Sequence, residues 1–82
     1  MKVLKFYATW CGPCKAMSMI LSNMDNLPEI EEVDIDAQNE MATEYKIRSV
    51  PTLVKLDDDG NEVDRYTGGA QDRNAIAAFL EV

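Results

Sequence analysis

Eighty-two residues suffice for one small domain, expected to span 1–82, that buries roughly 60–65% of its unfolded surface and has a thin stability margin. An apolar fraction of 46% and a charged fraction of 28% are ordinary for a soluble globule, and a net charge of −7 without a basic cluster argues against nucleic acid or anionic membrane surfaces as partners. No apolar run approaches the roughly 20 residues that span a bilayer. The opening Met-Lys-Val-Leu-Lys-Phe-Tyr has no long apolar core and no small-residue cleavage site, so a cytoplasmic location is expected.

Residues 3–7 read as a short, largely apolar strand. Side chains alternate along a strand, which puts Val3, Lys5 and Tyr7 on one face and Leu4 and Phe6 on the other. After a brief turn, Pro13 suits the first turn of a helix. Met17, Ile20, Leu21 and Met24 then recur at helical spacing, a core-facing stripe that stops near Asn26 and Pro28. Residues 30–35 form a second strand, and Asp36 is placed to cap a short helix with Met41, Ala42 and Tyr45 on its inner face. Residues 52–56 and 62–66 are strands joined by the turn Asp57-Asp58-Asp59-Gly60-Asn61. Gly68-Gly69 breaks the chain, and Asp72 is the expected N-cap of a last helix with Ile76, Phe79 and Leu80 inward. The order βαβ, helix, ββα predicts an α/β fold with helices on both faces of one four-stranded mixed sheet. A right-handed first crossover makes the first two strands parallel neighbours.

The chain contains two cysteines, Cys11 and Cys14, and no histidine. A bridge between them would close a tiny loop and remove little chain entropy, so stability does not account for the pair. Half of a tetrahedral metal site is another reading, but such a site takes about four ligands. One monomer supplies two, and only a cluster bridging two copies would complete it; no metal and no bound cofactor are expected. Placement between a strand and a helix in a βαβ unit is the redox context for this spacing. Helix N-termini present free N–H groups and the positive end of the macrodipole, which favour the thiolate that attacks a disulfide. Cys11 is expected to lie exposed at the helix N-terminus, and Cys14, one turn deeper and screened by Pro13, is within reach of a mixed disulfide formed at Cys11. Lys15 adds positive charge, Gly12 keeps the loop open, and Pro13 starts the helix without wasting a donor.

Trp10-Cys11-Gly12-Pro13-Cys14-Lys15 after an apolar strand resembles the active-site signature of thioredoxins. Ile47-Arg48-Ser49-Val50-Pro51-Thr52-Leu53 is similar to the family's loop with a cis-proline before a strand, and Gly60 and Gly69-Ala70 extend the likeness over nearly the whole chain. The resemblance implies a minimal thioredoxin-like fold and a protein-disulfide reductase in which Cys11 attacks and Cys14 resolves. It implies that Trp10 covers the site, that Pro51 is cis and opposite the cysteines, that the Val50 backbone pairs with a substrate segment, and that Gly68 and Gly69 leave a flat docking surface. Implied partners are disulfide-bearing proteins and a thioredoxin reductase, with the protein itself a monomer.

Three departures stand out. The resemblance begins at the strand leading to the cysteines, so the expected architecture is a trimmed one without the N-terminal strand and helix of longer thioredoxins, as in glutaredoxins and small thioredoxin-like proteins of archaea and phages. Met19 stands where many thioredoxins have a helix-kinking proline, which predicts a straighter helix. The acid that usually lies beneath the cysteines aligns with Lys5, and the lysine that usually faces it aligns with Glu32, so the pair is reversed. Two rival readings share the residues. A glutaredoxin-like protein recycled by glutathione would use Gly68-Gly69 and Asp72 as a glutathione-binding corner, although glutaredoxins favour a tyrosine between the cysteines. A binding subunit whose redox activity is incidental would keep its function without Cys11 and Cys14.

Overall fold

In the computed structural model, which describes residues 1–67 and 72–81, the elements follow the predicted order. They are β1 (Lys2–Tyr7), α1 (Gly12–Ser22), β2 (Glu29–Asp34), α2 (Asn39–Glu44), β3 (Thr52–Leu56), β4 (Glu62–Thr67) and α3 (Arg73–Leu80). The strands form one mixed sheet in the order β2-β1-β3-β4. The β1–β2 pair is parallel, and β1–β3 and β3–β4 are antiparallel. Expectations resting on Gly68, Gly69 and Ala70 lie outside the described residues.

Alternation along the two central strands divides the core into two layers. On one face Val3 and Leu53 meet Met17 and Leu21 of α1 and Ile76 and Leu80 of α3. On the other, Leu4, Phe6, Val33, Val54 and Leu56 are covered by Met41 and Ala42 of α2, with Tyr45 and Ile47 just beyond it. Every residue of β3 is buried, because helices cover both of its faces and strands flank both of its edges. Lys55 reaches out of that strand along the Phe79 ring, its Nζ 4.6 Å from the centroid, to meet Glu81 at 3.1 Å. Its aliphatic stem stays packed while its charge reaches the rim.

The turns show how local chemistry sets the ends of these elements. In the β3–β4 connection the Asp57 carboxylate accepts the N–H groups of Asp59 and Asn61, both at 2.9 Å, and Gly60 takes the positive φ of 86° that the turn requires. Across β4, Arg65 grips Glu62 and donates to the Tyr45 carbonyl at 2.8 Å, and its hydrogen bonds hold the Glu62 carboxyl below the usual carboxylate range. Asp36 does not cap α2 as expected. Gln38 occupies the cap position with no side-chain capping bond, and the preceding turn winds around Asp34, whose carboxylate accepts the N–H groups of Asp36 at 2.9 Å and Ala37 at 3.4 Å. Asp36 is drawn instead to Trp10.

Asp72 caps α3 as its position predicted, accepting from the N–H groups of Asn74 at 2.9 Å and Ala75 at 3.4 Å. Asp72→Ala is expected to cost about 1 kcal/mol. In a domain of this size that lowers Tm by about 4–8 °C, measurable by thermal melting followed by circular dichroism. An unchanged Tm would mean that burial of Ile76 and Leu80 alone holds the helix.

Candidate active site

The site forms where β1 stops and α1 starts. Cys11 folds back through its N–H to the Ala8 carbonyl at 3.2 Å and serves as the N-cap of α1, with extended backbone at φ −91° and ψ 111°. Gly12 and Pro13 fill the first turn, where a missing proline N–H leaves no helical bond unmade. That geometry brings Cys14 back over Cys11, with the Cα atoms 5.3 Å apart and the two sulfurs joined as a disulfide. The Cys14 backbone N–H points at Cys11 Sγ from 3.1 Å. A sulfur at the cap of a helix, facing a free N–H, is in the surroundings that favour its anionic form.

Cys11 was expected to lie open at the surface, yet it is only 4% exposed, and Cys14 is 2% exposed. The reason is packing around Ala8, where Tyr7, Ile35 and Val50 pack against the cluster that Ala8 forms with both cysteines. The Val50–Pro51 bond is cis and Pro51 is buried, as the resemblance implied. The Val50 carbonyl oxygen lies 3.7 Å from Cys11 Sγ. Trp10, next to Cys11 in the chain, is 68% exposed, and its indole Nε1 donates to the Asp36 carboxylate at 3.0 Å. Gly12 leaves the surface next to the sulfurs open, since a Cβ there would meet no atom within 4 Å. Lys15 is exposed and borders the same cleft as Cys14.

Against the second turn of α1 the reversed pair is present. Lys5 and Glu32 are register partners on β1 and β2, and their charged groups meet at 3.0 Å. Lys5 Nζ also donates to Ser18 Oγ. The sequence reading missed Ser18, although its position four residues after Cys14 put it on the same side of the helix. Met19 is exposed on the opposite side, and α1 runs from Gly12 to Ser22 as one helix. No group of three or more histidine, cysteine, aspartate or glutamate side chains among the described residues is arranged to hold a metal ion.

A strand–Cys-Gly-Pro-Cys–helix unit on a mixed sheet, with a cis-proline loop against the sulfurs, defines a thiol–disulfide exchange protein of the thioredoxin-like class. The sequence model of the family described as Thioredoxin matches residues 1–82. Among curated proteins the chain is 36% identical to a thioredoxin of Staphylococcus epidermidis, over 98% of its own length and 79% of that protein. It is 41% identical to a thioredoxin of Chlamydia trachomatis over 95% of its length and 78% of that protein. Among solved structures it superimposes on a Malassezia sympodialis thioredoxin with a TM-score of 0.83 and 32% identity, covering 98% of this chain and 71% of that one. The chain therefore belongs to the thioredoxin family. It is a thioredoxin-type dithiol–disulfide oxidoreductase, with Cys11 and Cys14 as its redox disulfide.

Proposed function

We propose that residues 1–82 act as a single, monomeric domain that reduces disulfides in cytosolic proteins, with Cys11 as nucleophile and Cys14 as resolving thiol. The observation that carries this division of labour is the Cys14 N–H directed at Cys11 Sγ, which stabilises negative charge on that sulfur and on no other. The Cys11 thiolate attacks a substrate disulfide, forming a mixed disulfide and releasing one substrate thiolate. Cys14 then attacks Cys11 Sγ, the Cys11–substrate bond breaks, and the second substrate sulfur leaves with the electron pair. The carbonyl of Val50, at the edge of the sulfurs, is available to an extended substrate segment, and buried Pro51 keeps that loop in position. Both electrons are carried by the thiols themselves, so the exchange calls for no bound cofactor. Among the described residues no helix is long and apolar enough to cross a membrane.

The dithiol is regenerated by a thioredoxin reductase in this reading. Oxidised protein incubated with NADPH and thioredoxin reductase is expected to be reduced rapidly and to pass electrons on to a protein disulfide. Incubation with glutathione and glutathione reductase is expected to be slow by comparison. The reverse ranking would move the protein to the glutaredoxin mode of recycling.

A further inference from the structure

Lys5 lies in an inner strand and is only 3% exposed. A buried ammonium is costly unless it is paired and hydrogen-bonded. Here Ser18 Oγ and Glu32 Oε1 supply the partners, the latter at 3.0 Å, while the Tyr7 ring centroid stands 5.7 Å from Nζ. The pair is asymmetric, because Glu32 belongs to an outer strand and its side chain is 61% exposed. Water screens the carboxylate more than the ammonium, so the pair is left with a net positive influence on its buried side.

Ser18 links that side to the resolving cysteine. Ser18 follows Cys14 by one helical turn, a spacing that sets Cβ atoms about 5–6 Å apart. An open cleft of about 290 Å³ is bordered by Cys14, Lys15, Ser18 and Glu32. A neighbouring cleft of about 320 Å³ is bordered by Lys5, Ser18 and Glu32. The ionisable groups that border the Cys14 cleft are thus Tyr7 from β1, Lys15 from the start of α1 and Glu32 from β2, with Cys11 joined to Cys14 itself, and Lys5 reaches the cleft's Ser18 wall from the neighbouring side. Lys5 is the buried cation of this set, and Ser18 fixes where it points.

We propose that Lys5 is a positioning residue for the resolving step: its ammonium, oriented by Ser18 and Glu32, favours the Cys14 thiolate and so sets the rate at which the mixed disulfide is broken. The Cys14 thiol loses its proton to water in the cleft. Its thiolate forms the Cys11–Cys14 bond as the Cys11–substrate bond breaks, and the departing substrate thiolate takes a proton from water. Glu32 acts in the opposite sense, offsetting part of the ammonium's charge. The inference rests on the assignment of Cys14 as resolving thiol, but its effect on ionisation can be read without any exchange reaction.

The test is titration of the ultraviolet thiolate absorbance of Cys14, as the single thiol of a Cys11→Ser background, with Lys5→Met or Glu32→Gln added. Lys5→Met is expected to raise the Cys14 pKa by about one unit, and Glu32→Gln to lower it by about half a unit. With both cysteines present, resolution of a preformed mixed disulfide below that pKa is then expected to be about tenfold slower in Lys5→Met and faster in Glu32→Gln. An ion pair that only supports packing would leave the titration unmoved or move it the same way in both variants, and either result overturns the proposal. Should Lys5→Met fail to fold, Ser18→Ala decides instead, since it releases the ammonium from its bearing on Cys14 and leaves Glu32 in place: a raised Cys14 pKa upholds the proposal, and an unchanged or lowered one ends it. Failure of the wild-type protein to reduce protein disulfides would instead count against the exchange reading itself.

Discussion

Cys14→Ser is expected to turn the protein into a trap that forms one mixed disulfide with each substrate and does not turn over. Cys11 keeps its place as N-cap of α1 and keeps the backbone N–H of residue 14, so attack on the substrate survives the change. What is lost is the only second thiol in the chain. Cys11→Ser, in contrast, is expected to abolish both attack and turnover, because the remaining sulfur at position 14 lacks the helix-cap position and the backbone N–H that Cys11 Sγ accepts. Steady-state reduction of a protein disulfide falls to background in both variants. Non-reducing electrophoresis separates them, with a covalent adduct in Cys14→Ser and none in Cys11→Ser. Adducts in the opposite variant would exchange the roles of the two thiols. Retention of function in both would support the reading of a binding subunit.

Phe6→Ala is expected to remove most of the protein's stability. Phe6 is fully buried among Leu4, Val33, Val54 and Leu56, and its ring centroid lies 5.7 Å from that of Tyr45, with the rings tilted at 53°. Truncating a buried phenylalanine costs about 3–5 kcal/mol through lost transfer energy and the cavity left behind. At about 0.05–0.15 kcal/mol per residue, a chain of this length has only about 4–12 kcal/mol to lose. Urea denaturation is expected to show the midpoint lowered by about 2 M or more with little change in slope. Val63→Ala serves as the control: Val63 is 56% exposed on the outer strand β4, and the change is expected to stay within about 0.5 kcal/mol. A small effect at Phe6 would mean that α2 and the sheet close over the gap.

Most of the framework was legible because its signals are local. Apolar alternation at residues 3–7 puts Val3 on one face and Leu4 and Phe6 on the other, and the structure covers the first with α1 and the second with α2. The Met17 and Leu21 spacing names the buried side of α1, and Asp72 stands where its helix needs a cap. The disulfide was legible for the same reason, since two residues of spacing and a proline leave the backbone few ways to start a helix without bringing the sulfurs together. The misassigned residues all depend on partners distant in sequence. Asp36 has the right spacing for a cap, yet the indole of Trp10, 26 positions earlier, takes its carboxylate. Cys11 begins a helix as expected and is still buried, because Ile35 and Val50 arrive from other parts of the chain.

The sequence by itself determined the order of the elements, the inner and outer faces of the strands and of the first and last helices, and the dithiol at a helix start, because each follows from spacing within a few residues. Tertiary structure alone decided how deep the sulfurs lie, which carbonyl faces Cys11, and how the charges at positions 5 and 32 meet. A register between β1 and β2 fixes that last contact, and it places the ammonium inside while leaving the carboxylate at the rim. Strand order assigns the inner place to one strand and the outer place to the other, and no local pattern of charges carries that information.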